Sequence, residues 1–101
     1  MSLKIEKNLT DTAALVILEG RLDTNTAPEL ESTLETLLPG VTELTFDLAK
    51  LEYISSAGLR VILKTQKAMS QKGSMKLTHV PETAMEVFDI TGFVEFLTIE
   101  N

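Results

Sequence analysis

The order of strand-like and helix-like segments constrains the fold of this chain more than any other feature. Segments rich in apolar residues, either alternating or continuous, predict four strands, at residues 14–18, 43–48, 75–80 and 96–99. Apolar residues at helical spacing predict three helices between them, from Ala27 to Leu38, from Leu59 to Gly73 and from Pro81 to Ile90. Strands and helices that alternate through short links form right-handed crossovers, so the sequence predicts an α/β fold with a mainly parallel sheet.

A further strand-like segment precedes this series and makes the predicted sheet mixed. Leu3 and Ile5 alternate with charged side chains, and turn-forming residues follow at positions 8–12. We therefore expect the first two strands to form an antiparallel hairpin. Residues 49–56, AKLEYISS, are interpreted as a connection that leads into the second helix.

The start of the first helix has the spacing of a capping box. Thr26 precedes Pro28 by two residues and Glu29 by three. In this motif the hydroxyl and the carboxylate each satisfy an exposed backbone donor. A proline in the first turn costs no internal hydrogen bond. The spacing therefore predicts a helix that is capped by the Thr26 side chain.

Composition restricts the kinds of function open to the protein. The 101-residue chain contains no cysteine, which excludes disulfides, cysteine-based zinc sites and thiol catalysis. Its net charge of −6 argues against a nucleic-acid partner. No apolar run approaches the ~20 residues that span a bilayer, and the N-terminus lacks the apolar core of a signal peptide. We expect one cytoplasmic domain over residues 1–101, without a membrane segment, metal ion or cofactor.

The segment YISSAGLR, residues 53–60, places small and hydroxyl-bearing residues just before a predicted helix, where functional loops of α/β proteins lie. Ile54 occupies the position at which a hydrolase nucleophile elbow needs glycine, and His79 is the only histidine available as a base. The Gly-Lys-Ser/Thr of a phosphate-binding loop is also missing. These departures disfavour catalysis and nucleotide binding, and we predict that the protein is not an enzyme.

Two interpretations of Ser56 remain open at this point. A serine at the start of a helix can simply cap it. It can also accept a phosphate, because the helix N-terminus favours an anion and the added charge would alter binding without unfolding the protein. The residues alone favour the capping interpretation.

Three segments together resemble STAS domains, and specifically the bacterial anti-sigma-factor antagonists. DLAKLEYISSAGLRVIL, residues 47–63, resembles the signature segment of that family. GRLD, residues 20–23, and DITGF, residues 89–93, resemble two further segments at the family's order and spacing. The resemblance covers nearly the whole chain, and it implies a sheet with strands in sequence order and helices on one face.

The resemblance also implies a partner-switching function. The unmodified antagonist binds an anti-sigma factor that is itself a serine kinase, phosphorylation by that kinase breaks the complex, and a PP2C-type phosphatase restores the antagonist. By register from Gly58, the implied acceptor is Ser56, and Asp23 matches the family's acidic position on the neighbouring loop. The residues implied to contact the partner are Asp23, Thr24, Asn25, Ser55, Ser56, Gly58 and Leu59.

One departure from the family keeps a second acceptor open. Ser55 stands where many members carry an aspartate, so Ser55 competes with Ser56 as the modified residue. Two other STAS functions also remain as alternatives: a non-phosphorylated subunit of a transporter-associated or stressosome-like assembly, and a domain that binds a small ligand or lipid. The retained Ser56 favours the switching function, and we expect a monomer.

Overall fold

The structure is a computed structural model that describes residues 3–100, which form one five-stranded sheet, three α-helices and a short 3₁₀-helix. The strands are β1 (Leu3–Thr10), β2 (Ala13–Leu22), β3 (Glu43–Ile54), β4 (Ser74–Thr78) and β5 (Ile99–Glu100). The helices are α1 (Ala27–Leu37), α2 (Ser56–Ser70), α3 (Glu82–Thr91) and the 3₁₀-helix Phe93–Glu95. None of these helices is both long and apolar enough to cross a membrane.

The sheet has the topology that the order of elements predicts. Its strands lie in the order β1-β2-β3-β4-β5, with β1 and β2 antiparallel and all other neighbours parallel. The mixed, mainly parallel sheet with an N-terminal hairpin is therefore confirmed. In a parallel pair the carboxyl ends of both strands lie at the same edge, and Leu22 at the end of β2 indeed pairs with Ile54 at the end of β3. The segments that follow these two residues consequently start side by side.

The helices cover one face of the sheet, as the family resemblance implies. On that face Val16, Phe46 and Leu77 are neighbours in the strand register, and all three are fully buried. Each helix contributes at least one fully buried side chain: Leu30 of α1, Ile62 of α2 and Phe88 of α3. On the opposite face Leu15 and Thr45 are only half-buried. The core therefore lies between the sheet and a single layer of helices.

β3 is longer than predicted, and the interpretation of residues 49–56 as a connection is wrong. The strand continues to Ile54. β3 contains one extra residue opposite the stretch from Ile17 to Glu19 of β2. A second extra residue of β3 lies opposite the step from Gly20 to Arg21. Each β-bulge shifts the alternation of side chains by one residue, so the period of two that identifies a strand in a sequence is lost there.

The chain after α3 also differs from the prediction. Only Ile99–Glu100 forms β5, whereas Phe96 ends the 3₁₀-helix and lies outside the predicted strand at residues 96–99. Gly92 adopts a left-handed conformation (φ 78°) that ends α3 and turns the chain into this short helix. The edge strand is therefore reduced to two residues.

Candidate functional site

Two neighbouring strand ends form the candidate site. The backbone N–H of Ser55 donates a hydrogen bond to the carbonyl of Leu22 at 2.9 Å, which continues the contact between β2 and β3 beyond Ile54. From here β3 leads directly into α2, and β2 leads into the loop at residues 23–26. The predicted site residues lie on these two adjacent segments.

Ser55 is the N-cap of α2. Its backbone is extended (φ −99°, ψ 174°), and its Oγ accepts a hydrogen bond from the backbone N–H of Gly58 at 3.4 Å. Its carbonyl accepts the N–H of Leu59 at 2.9 Å, which is the first bond of the helix. The Ser55 side chain therefore satisfies a backbone donor that would otherwise be unpaired at the helix start.

Ser56 is the first residue of α2, and it does not cap the helix. The residue is exposed, and its hydroxyl makes no hydrogen bond within residues 3–100. The capping interpretation that the residues alone favour for Ser56 is thus wrong, because the serine before it caps the helix. The two adjacent serines have different environments: one hydroxyl is bonded to the helix backbone and the other is free at the surface.

Gly58 and Leu59 hold the start of α2 against β2. A Cβ atom on Gly58 would lie 2.5 Å from Leu22 Cγ and 3.0 Å from the Leu22 carbonyl oxygen, so only glycine allows this approach. Leu59 is buried in the core. Both of these predicted contact residues are buried in this conformation.

The loop after β2 is organised by the Asp23 carboxylate. Its Oδ1 accepts hydrogen bonds from the backbone N–H groups of Asn25 (3.0 Å) and Thr26 (3.1 Å) and from the Thr26 hydroxyl (3.2 Å). The single proton of the Thr26 hydroxyl is shared between Asp23 Oδ1 and the nearer Arg21 carbonyl (2.8 Å), and the hydroxyl oxygen accepts the Asp23 N–H at 2.8 Å. The hydroxyl makes no bond to the α1 backbone. The predicted capping box at Thr26 is therefore wrong, since its hydroxyl bonds the preceding loop and not the start of α1.

The same contacts keep Asp23 ionised. Partial desolvation by burial tends to raise the pKa of this carboxyl, but hydrogen bonds from Thr26 and Asn25 and the nearby Arg21 charge outweigh it and lower the pKa. The Arg21 Nε lies 3.6 Å from Asp23 Oδ2, and the Arg21 guanidinium also stacks 4.2 Å from the centroid of the Tyr53 ring. A fixed negative charge therefore lies on the loop beside α2.

Thr24 and Asn25 occupy the exposed tip of this loop. Thr24 also lines a groove of about 250 Å³ between α1 and α2, together with Ala57 and Arg60. The structure thus brings the Asp23 loop and the first turns of α2 onto one surface. Arg60 is not among the site residues predicted from the sequence, although it lies four residues after Ser56, a spacing that places two side chains on the same face of a helix.

His79 has no contact with the two serines. Its Nδ1 lies 3.3 Å from Asp47 Oδ1, so its polar partner is a side chain of β3 that precedes the two bulges. Within residues 3–100, no group of three or more acidic or histidine side chains is arranged to hold a metal ion. The arrangement of groups at the site is that of an exposed hydroxyl at a helix N-terminus beside an ionised carboxylate.

The sequence matches a known family over almost its whole length. The family model described as Mlab, STAS domain, matches residues 5–98. The anti-sigma-B factor antagonist of Staphylococcus epidermidis is 33% identical over 106 residues, an alignment that covers 100% of this chain and 95% of that protein. Both matches include the two segments that form the site.

Solved structures of similar fold point the same way. An anti-sigma factor antagonist from Mycobacterium paratuberculosis superposes with a TM-score of 0.87 at 19% identity, covering 96% of this chain and 84% of that one. SpoIIAA in its unphosphorylated form superposes with a TM-score of 0.81 at 18% identity, covering 97% of this chain and 89% of that one. The phosphorylated form of SpoIIAA from Bacillus superposes with a TM-score of 0.76, also at 18% identity, covering 97% of this chain and 92% of that one. At these identities the likeness concerns the fold alone.

Proposed function

This chain belongs to the STAS domain family of anti-sigma-factor antagonists, and we propose that it is a binding module that phosphorylation of Ser56 switches, without catalytic activity of its own. In its unmodified form it sequesters an anti-sigma factor that is also a serine kinase. That kinase then phosphorylates Ser56, and the complex dissociates. A PP2C-type phosphatase returns the antagonist to the binding form.

The observation that carries the proposal is the division of roles between the two serines. The Ser56 hydroxyl is exposed and unbonded, so a kinase can reach it without disturbing the fold. Ser55 already supplies the helix cap. A phosphate at the first residue of a helix also meets the positive end of the helix dipole, which favours an anion. The modified protein therefore keeps its structure.

The alternative acceptor, Ser55, fits these requirements less well. Its Oγ accepts the Gly58 N–H, and the residue is half-buried. A phosphate there would have to replace this bond and to sit closer to the contact of α2 with Leu22. We therefore assign the acceptor role to Ser56.

Release of the partner follows from charge. A phosphate adds about −1.5 to −2 charges at neutral pH. The neighbouring Asp23 is already ionised, so the surface that carries Thr24, Asn25 and Ser56 becomes strongly negative after modification. A partner that closes over this surface would have to desolvate both anions, which weakens binding. SpoIIAA, which has this fold, has been solved in an unphosphorylated and a phosphorylated form, and this supports the proposal.

The packing of the core favours this function over the ligand-binding alternative. Phe46, Ile62 and Phe88 are fully buried in the layer between sheet and helices, where a small ligand or lipid would have to fit. The grooves that line α2 open on the surface instead. Contact with a protein surface is therefore the better explanation.

The test is incubation with the cognate anti-sigma factor and ATP, followed by mass spectrometry of the peptide that contains Ser55 and Ser56. We expect one phosphate on Ser56, which is retained in Ser55→Ala and lost in Ser56→Ala. In binding assays Ser56→Ala should hold the anti-sigma factor permanently, and Ser56→Asp should bind it roughly tenfold more weakly or worse, equivalent to ~1.4 kcal/mol.

Two results would contradict the proposal. Phosphate on Ser55 in the wild-type protein would move the acceptor by one residue. Equal affinity of Ser56→Ala and Ser56→Asp, with no phosphate on either serine, would favour the non-phosphorylated subunit of a larger assembly.

A further inference from the structure

Arg60 is a cation without an acidic partner on the exposed side of α2. Within residues 3–100, the ion pairs join Arg21 to Asp23, Lys64 to Glu31, Lys76 to Glu100 and His79 to Asp47, and none includes Arg60. The whole chain has a net charge of −6, so acidic side chains outnumber basic ones. An exposed arginine that remains unpaired in such a protein is available for another anion.

Helix geometry places this arginine over Ser56. The two residues are four positions apart on α2, so they lie on the same face about one turn from each other. Side chains of a helix tilt towards its N-terminus, so the Arg60 side chain is directed towards the turn that contains Ser56. Arg60 also lines one groove with Ala57, the residue next to Ser56.

The first backbone N–H groups of a helix lack partners within the helix, and at the start of α2 two N–H groups are bonded to Ser55. The Gly58 N–H is already bonded to the Ser55 side chain, and the Leu59 N–H to the Ser55 carbonyl. The neighbouring anions are Asp23, on the loop after β2, and Glu31, on α1, and they are paired with Arg21 and Lys64 respectively. Arg60 is a nearby cation that forms no ion pair within residues 3–100. It can therefore add a counter-charge to the favourable field of the helix N-terminus.

We propose that Arg60 is this counter-charge: its guanidinium binds the phosphate of phosphorylated Ser56 within the same chain. The inference rests on the proposed function, because it concerns the modified state of that site. Arginine is suited to the role, since its planar group can donate two parallel hydrogen bonds to phosphate oxygens. The contact stabilises the phosphorylated protein and draws Arg60 onto the phosphate, away from any partner that it meets in the unmodified state.

The test uses protein in which phosphoserine is incorporated at position 56 during translation, so that no kinase is needed. The ³¹P NMR signal of the phosphate is followed as a function of pH in otherwise wild-type protein and in Arg60→Ala, Arg60→Lys and Lys67→Ala backgrounds. Lys67 is the matched control, since it is another exposed α2 cation without an ion pair, and lies eleven residues from Ser56, ~16 Å along the axis.

We expect the midpoint of the phosphate titration to rise by roughly half a pH unit in Arg60→Ala, because a nearby cation favours the dianion. Arg60→Lys should recover part of this change, and Lys67→Ala should titrate like the wild type. Thermal unfolding of the unmodified variants verifies that each is folded. A titration midpoint in Arg60→Ala equal to that of the wild type would overturn the inference. An equal rise in Lys67→Ala would also overturn it, because the midpoint would then respond to any cation on α2 and not to a contact with Arg60.

These outcomes are separate from those of the proposed function. The absence of kinase-dependent phosphate on Ser56 would remove the proposed function and leave the titration result unchanged. Phosphorylation by the kinase combined with an unchanged midpoint in Arg60→Ala would remove only the role of Arg60.

Discussion

The two ends of helix α2 differ in the groups that surround them: polar groups lie at the N-terminal end and an apolar groove lies at the C-terminal half. At the N-terminal end, Ser55 caps the helix and the Asp23 carboxylate bonds its own loop, which leaves the Ser56 hydroxyl free. The C-terminal half borders a groove lined by apolar side chains that include Leu63 and Phe93. Phe96, at the rim of this groove, is 68% exposed.

The polar groups at the two ends also have different environments. The Oε1 atom of Gln66, which lines the groove in the C-terminal half, is buried and has no hydrogen-bond partner within residues 3–100. The hydroxyl of Ser56 is instead exposed to solvent. The absence of a bond to the protein carries no desolvation penalty there, because water can bond the hydroxyl. At the N-terminal end the Ser56 hydroxyl thus remains exposed because Ser55 and Asp23 complete the local hydrogen bonding.

A glycine lies near each end of α2, and replacing either one should cause the largest loss in the free energy of unfolding. A Cβ atom on Gly73 would lie 1.8 Å from the Thr42 carbonyl oxygen, which is backbone, whereas one on Gly58 would first meet the Leu22 side chain at 2.5 Å. We expect Gly73→Ala to lower the free energy of unfolding by about 3 kcal/mol and Gly58→Ala by about 2 kcal/mol. Urea denaturation measures both values.

Gly40 provides the control for these substitutions. A Cβ atom there meets nothing within 4 Å, but the residue has a φ of +87°. Gly40→Ala therefore measures the cost of the left-handed conformation alone, about 1 kcal/mol. A greater loss for Gly58→Ala than for Gly73→Ala would contradict the argument that backbone yields less readily than a side chain.

The adjacent serines provide a sharper comparison within the N-terminal end. Ser55→Ala should lower the free energy of unfolding by about 1 kcal/mol, because it removes the cap on the Gly58 N–H. Ser56→Ala should change it by less than about 0.5 kcal/mol, because its hydroxyl has no bond to lose. Chemical denaturation of both variants tests this, and the opposite order would assign the cap to Ser56.

The smallest expected change in the free energy of unfolding comes from removing the charge of Asp23. Its pKa is lowered in the folded protein, so ionised Asp23 favours folding at pH values above its ordinary pKa of 3.8. This contribution disappears as the pH falls through the lowered value. The difference in stability between the wild type and Asp23→Asn should thus be larger at pH 7 than at pH 2.5. Urea denaturation at both pH values measures it, and a difference independent of pH would contradict the role assigned to the charge.

Much of the fold could be predicted because it is encoded in local patterns. The alternation of strand-like and helix-like segments determines a mainly parallel sheet, and the predicted strands Ala14–Leu18 and Glu43–Leu48 correspond to the first halves of β2 and β3. The extension of β3 to Ile54 could not be predicted in the same way. Its two bulges arise from pairing with β2, and they erase the alternation that identifies a strand in the sequence.

The residue pattern alone places the candidate site residues on two separate segments, at residues 20–25 and 53–60, and predicts that one of these segments begins a helix. Which serine caps the helix and which has a free hydroxyl depends on the three-dimensional fold. The tertiary structure also makes the Asp23 carboxylate the acceptor for the backbone N–H groups of Asn25 and Thr26, whereas the Thr26 hydroxyl bonds the backbone of Arg21 and Asp23 and not that of α1. A hydroxyl or carboxylate has several possible partners nearby in the sequence. The pairing of β2 with β3 selects among them, because it fixes the positions of the backbone N–H groups that follow the two strands.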